Sequence, residues 1–388
     1  MLHANSSGKR NATMLISAIL QVLIVELIYC NSDRWHAQAL VMIVPQHMPL
    51  YTILLQAQLY YMAFVATSRL RIDPFIQPFA MGLLMLLLAF PFELLGTKFL
   101  WWTWHDTDPL LAVRLIGVPC HALFYTYFFA IAFLGVHHIL RSTLILGEYY
   151  EEVHWKSEWS YILLMPLLTT LFAMGFLILC YHVTVHLIGV EAQDRAYCSF
   201  GWLIAKEERV LAFEALLISD DPHVQQVLDT LDAYDSDWLY ASIDHAVNQM
   251  AFLLYLSLVL LVLFINPTKI VSLGHHQPLG NCLENEPFYS LVGMQYHRKK
   301  YLCVHDFYAE FNLCNYPLTQ LHYEDSWYMI CGRGYENFAT YLALSISSFL
   351  GINFLLVQVL KRPHPTEKCL SNKTRYFSFR KCTFKVPV

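Results

Sequence analysis

Residues Phe90–Pro109 read FPFELLGTKFLWWTWHDTDP. The stretch leaves an apolar run through Trp101, Trp102 and Trp104 and ends in His105, Asp106, Thr107, Asp108 and Pro109. Tryptophans gathered where an apolar run turns ionisable mark the level of a membrane–water interface. The run behind them, Phe75–Leu95, has the length of a bilayer-crossing helix, which takes about 17–25 residues. Reading outward gives six more such runs: Thr13–Cys30, Pro49–Ser68, Gly117–Leu140, Tyr161–Ile188, Met250–Ile265 and Asn337–Leu360. Pro45 and Pro49 break the apolar stretch ahead of the second run, because proline lacks the N–H a helix interior needs.

Composition agrees. The 388-residue chain is 56% hydrophobic and 14% charged, against about 25% charged in a soluble domain. No basic stripe suggests a nucleic-acid partner; the expected partners are membrane lipids and an apolar small molecule. The sequence therefore reads as an all-α, polytopic transmembrane bundle of about seven spans, with a cysteine-containing extramembrane loop. A polar N-terminus (1–12) precedes the bundle (13–361), and a basic tail (362–388) follows it.

Two connections stand out. Segment 190–247 holds 12 Asp and Glu against Arg195, Lys206 and Arg209, and Leu203–Ile218 has the apolar spacing of an amphipathic surface helix. Segment 266–336 carries Cys282, Cys303, Cys314 and Cys331. Two disulfides are natural there in an oxidising compartment, with three connectivities open. Eight Lys and Arg from Lys361 to Lys385, after the last span, argue for a cytosolic C-terminus in an endomembrane or plasma-membrane protein. Strict alternation of seven spans then puts the termini on opposite sides and the cysteine loop outside.

Alternation also sends one set of ionisable residues to one face. Odd spans end and even spans begin there, bringing Glu26, His36, Gln46–His47, Glu93, His105–Asp108, His121, His182, His186 and Asp244–His245 to a common level. Ionisable groups in a membrane are costly and mark reactive or ligand-binding centres, although helix ends are polar in every membrane protein. Glu93, Asp106, Asp108 and His105 are the candidate proton donors and catalytic groups. Trp101, Trp102, Trp104, Glu26, His121, His182 and His186 are candidate ligand contacts, the tryptophans serving either as an interfacial belt or as a cation-stabilising wall. Asp106-x-Asp108 is too short to assign a metal, and His182-x-x-x-His186 lacks the companion boxes of a di-iron site. No metal is assigned, and the cofactor is unknown.

Phe92–Pro109 resembles the signature of an uncharacterised family of animal multi-pass membrane proteins, and Ile330-Cys331-Gly332 through Tyr335-Glu336-Asn337 is similar to that family's second block. The resemblance implies a polytopic helical fold and no established activity. Glu93, Gly96, the aromatic stretch to Pro109 and Gly117-Val118-Pro119 are also similar to carotenoid-biosynthesis membrane hydratases. That likeness implies acid-catalysed addition of water to an isoprenoid double bond, with an acid among Glu93, Asp106 and Asp108. The function expected is a lipid or isoprenoid pocket with hydratase-like chemistry; the alternatives are a transporter or channel and a non-enzymatic receptor or scaffold.

Overall fold

The computed structural model describes residues 9–29, 34–70, 72–144, 155–182, 238–289, 295–307, 310–314 and 326–360. Among them are seven helices long and apolar enough to cross a membrane: α1 (Lys9–Tyr29), α2 (Leu50–Arg69), α3 (Gln77–Lys98), α4 (Cys120–Leu144), α5 (Trp155–His182), α6 (Trp238–Phe264) and α7 (Phe338–Leu360). At 1.5 Å per residue, each is about the thickness of a bilayer's hydrocarbon core. α2 begins directly after Pro49, where proline ends the extended chain ahead of it and costs the helix no hydrogen bond.

Helices α1 to α5 close a ring. Each packs on its predecessor, and α5 returns to α1. Small residues let the backbones approach: Ala57, Ala63 and Ala66 on α2 and Ala130 and Ala132 on α4 are buried among Met62, Met81, Leu88, Leu95 and Phe133. Gly82 of α3 lies under the Tyr127 ring of α4, where a Cβ would stand 2.7 Å from the ring. Outside the ring, α6 and α7 form a hairpin against α3 and α2, and the Tyr255 hydroxyl of α6 donates to the Leu88 carbonyl of α3 (2.7 Å).

The two ends of the bundle differ. At the open end, Arg141 of α4 donates to both oxygens of Glu158 on α5 (2.5 and 3.1 Å) and to Thr13 of α1 (3.0 Å). At the other end the chain forms a cap of short strands: β1 (Arg34–His36), β2 (Met42–Val44), β3 (Met48–Pro49), β4 (Trp102–Trp104), β5 (Arg114–Leu115), β6 (Val118–Pro119), β7 (Val271–His275), β8 (Asn285–Tyr289), β9 (Gln295–Lys299), β10 (Phe311–Asn312) and β11 (Trp327–Gly332). Antiparallel pairs join β1 to β4, β2 to β3, β5 to β6 and β8 to β9, and a three-stranded sheet runs β10-β11-β7. The expectation of an all-α chain is corrected here: the spans are helical, but their connections at one end are sheet. Strands of two to six residues have too few periods for alternation to show.

The cysteine loop is the larger part of this cap. It carries the disulfides Cys282–Cys303 and Cys314–Cys331, the sequential one of the three open connectivities. Its own core is Leu279, Leu302, Phe311, Tyr328 and Ile330, with Leu100 entering from the end of α3. Leu100 takes φ 56°, a left-handed conformation costing roughly 1–2 kcal/mol for a residue with a Cβ; burial in the cap core offsets it.

Helix direction overturns strict alternation. α5 starts at the open end, beside Arg141. α6 ends at the cap, where the chain continues into β7. The two therefore run the same way. α1 begins and α7 finishes at the open end. Alternation failed because it assumed that successive apolar runs are joined on one face. The amphipathic stretch Leu203–Ile218, the tail and His186 lie outside the described residues.

Candidate functional site

Alternation inside the short strands builds the site. In the β1–β4 pair Arg34 stands opposite Trp104, Trp35 opposite Thr103 and His36 opposite Trp102. Side chains two apart on a strand share a face, so Arg34 and His36 face inward with Trp102 and Trp104. The Arg34 guanidinium lies over both indoles, 5.6 Å from the Trp102 ring centre and 5.4 Å from that of Trp104. Thr103 turns the other way and meets Nδ1 of His276 in the cap (3.2 Å).

Below this ribbon, two carboxylates converge from the last turns of α1 and α3. Arg34 donates to Oε1 of Glu26, Gln56 of α2 donates to the same oxygen (3.1 Å), and Nε2 of His36 meets Oε2 (3.4 Å). Among the described residues Glu93 has only Arg34, whose Nη1 is 3.7 Å from Oε1; its Oε2 is buried with no hydrogen-bond partner there. Burial, more than the neighbouring Arg34 charge, holds the His36 imidazole below its ordinary pKa, and the Glu26 carboxylate only partly offsets this. His36 is therefore neutral, with Nδ1 buried and unpaired.

These groups form the polar end of a cavity of about 160 Å³ between α1, α2, α3 and α4. Its walls are mostly apolar, with Val22, Val25, Leu55, Leu59, Met85 and Phe129 among them and Gln21, Thr52 and Thr126 interspersed. His121, in the first turn of α4, and Gln46, His47 and His275 complete its rim. His47 and His275 stack there at 4.8 Å between ring centres, joining the β2–β3 hairpin to the cap.

Of the residues singled out in the sequence, Glu26, Glu93, Trp102, Trp104 and His121 line this one cavity. Trp101 does not; its carbonyl accepts from the Tyr51 hydroxyl (3.0 Å) and its ring packs on Phe99 and Trp102. His105, Asp106 and Asp108 do not line it either, and instead hold the cap. Asp108 is 1% exposed, caps the turn at Pro109–Leu111 through the Leu110 N–H (2.8 Å) and receives Arg298 (3.0 Å). Burial raises its carboxyl pKa, with the Leu110 N–H and Arg298 acting in the opposite sense. The Asp106 N–H donates to Gln277 (3.0 Å). Nδ1 of His105 accepts the Thr107 N–H (3.3 Å), and burial, reinforced by Arg298 and Arg114, lowers its pKa to about 3. Lys98, 1% exposed, ties the end of α3 to Glu310 (2.9 Å). The His182 side chain lies outside the described residues.

Sequence reasoning missed Arg34, the residue that joins the carboxylates. Its signal was present in Arg34-Trp35-His36, which alternates as Trp102-Thr103-Trp104 does. Gly96 sets the height of the ribbon: a Cβ there would stand 2.2 Å from the Trp102 ring. Gly96→Ala should displace Trp102 and cost about 1–3 kcal/mol, read as a lowered thermal midpoint; an unchanged midpoint would show that Trp102 is not held by that contact.

Among the described residues, no three His, Cys, Asp or Glu side chains are grouped to hold a metal ion. No curated protein and no solved structure matches the chain. One family model does, over residues 1–361, and its description is a domain of unknown function. On that match, which spans the bundle and the cap together, the chain belongs to the DUF7802 family.

Proposed function

We propose that this is an integral membrane protein with its capped end on the exterior or lumenal side, and that its cavity binds a small, largely apolar molecule through Glu93 and Arg34. The bundle's outer surface supports insertion. Leu163, Leu167, Leu171, Phe172 and Leu179 on α5 and Leu350 and Phe354 on α7 are exposed, a larger apolar surface than soluble proteins leave bare. Charge supports the orientation. Arg69, Arg141 and Lys156 stand at the open end, the sequence after α7 adds eight Lys and Arg, and cytosolic connections carry the excess of Lys and Arg. At the capped end, Arg34, Lys98 and Arg298 are held in ion pairs, and the disulfides suit an oxidising side. Epitope tags at the two termini should both become accessible once the plasma membrane alone is permeabilised, with organelle membranes intact. A tail tag reached from outside intact cells would reverse the orientation.

The observation that carries the binding reading is the partnerless Glu93 Oε2 at the polar end of an apolar cavity. A buried polar atom without a partner costs about 1–3 kcal/mol, and a ligand that donates to it recovers that cost. Size limits the ligand. A cavity of roughly 150 Å³ takes benzene, so this one accepts a group one ring in size, or one end of a longer isoprenoid. The acid-catalysed reading narrows to Glu93, since Asp106, Asp108 and His105 bond to the cap, and Arg34 already occupies the indole faces of Trp102 and Trp104.

The test is a comparison of small molecules that co-purify with the wild type and with Ala122→Phe, which fills the cavity wall. A compound retained by the wild type and lost from the filled variant identifies the ligand. Identical extracts from both proteins would remove the binding reading.

A further inference from the structure

Charge at the cavity's polar end is unbalanced. Among the described residues lining it, the acids and bases that charge at neutral pH are Glu26, Arg34 and Glu93, two carboxyl groups against one guanidinium. An uncompensated charge in such surroundings is costly. The imbalance is localised. Glu26 is served by Arg34, His36 and Gln56, whereas Glu93 has one long contact and an empty oxygen.

The other vacancy on this wall is also an acceptor. His36 presents Nε2 to a carboxylate, so that nitrogen carries the ring proton and Nδ1 carries the lone pair. Nδ1 is buried and unpaired, as is Oε1 of Gln21 further along the wall. The ring N–H groups of Trp102 and Trp104 are unpaired too, but as neutral donors they do nothing for the charge.

We infer, building on the binding reading above, that the ligand is a small organic amine held as its ammonium ion, with the head against Glu93 and His36 and an apolar body one ring in size. An ammonium group supplies three N–H donors and one positive charge. That satisfies both acceptors and neutralises the cavity. An alcohol of the same shape offers one donor and no charge, and a carboxylate brings the wrong sign.

The full chain in lipid nanodiscs, titrated calorimetrically against 2-phenylethylamine, 2-phenylethanol and phenylacetate with empty nanodiscs as the blank, decides the matter. The amine should bind about tenfold or more tightly than the alcohol, as charge-assisted hydrogen bonds outweigh neutral ones, and the acid should not bind. Glu93→Gln should bring amine and alcohol to within about twofold, and the wild-type series stands by itself if that variant fails to fold. Alcohol or acid binding as tightly as the amine would overturn the ligand class and leave the cavity a binding site. No heat from any of the three beyond the blank would overturn the amine and count against the binding reading as well; in that case co-purification by the wild type but not Ala122→Phe would show that only the ligand class had failed.

Discussion

Arg34→Met should lower the stability of the folded protein by about 3–5 kcal/mol, the cost of removing one partner from a buried ion pair. Methionine keeps most of the side-chain volume, so the loss is electrostatic. The guanidinium bridges Glu26 and Glu93. Without it Glu26 keeps the neutral donors His36 and Gln56, while Glu93 keeps nothing. The triple variant Arg34→Met, Glu26→Gln, Glu93→Gln has no charge left to bury and should recover most of the loss. Arg34→Lys should recover little, because an ammonium cannot span two carboxylates while lying flat over two indoles. Thermal midpoints in detergent, compared across the four proteins, check this. A single variant as stable as the wild type would mean that the carboxylates do not depend on the guanidinium.

Acid should loosen the cap. His105 and His276 are 2% exposed and stand at the seam between the bundle and the cysteine loop. Burial lowers both pKa values to about 3, assisted by Arg298 and Arg114 at His105 and by His275 at His276. An unfolded histidine takes its proton near pH 6.5. Between that value and about 3 the unfolded chain binds more protons than the folded one, so stability falls as pH falls. At pH 5 the loss is about 2 kcal/mol for each histidine, at roughly 1.4 kcal/mol per pH unit. Asp108 works in the opposite sense, because its raised pKa makes the folded form the better proton acceptor. Proteolytic nicking of the cap should therefore rise steeply between pH 7 and pH 5, with the helices protected. Cleavage independent of pH would show that these rings do not hold the seam.

The spans were legible because each is a long apolar run whose length is fixed by the bilayer. Pro49 and Asn337 bounded two of them to within a residue of the helices observed at Leu50 and Phe338. The cap was not legible, since its strands are two to six residues long and are held by partners far away in sequence, as in the pairing of Arg34 with Trp104. The site was half legible. Glu26 and Glu93 stood out as charges inside apolar runs, and the structure brings both to one cavity. Asp106, Asp108 and His105 looked alike in sequence but turn outward, because Trp104 ends the inward-facing ribbon and the chain beyond it meets Gln277 and Arg298. The polarity of α6 could not be read at all. It depends on the path of a connection, and composition is silent about paths.

That shared polarity of α5 and α6 divides the molecule between two chemical environments. In the orientation proposed above, the start of α1 and the end of α7 face the cytosol, so an enzyme acting on that side meets both helix ends together. In the same orientation the four bonded sulfurs and the rim of the cavity face the exterior or the lumen. Among the described residues, a change at the open end and one at the cap are then linked through the packing of the helices between them.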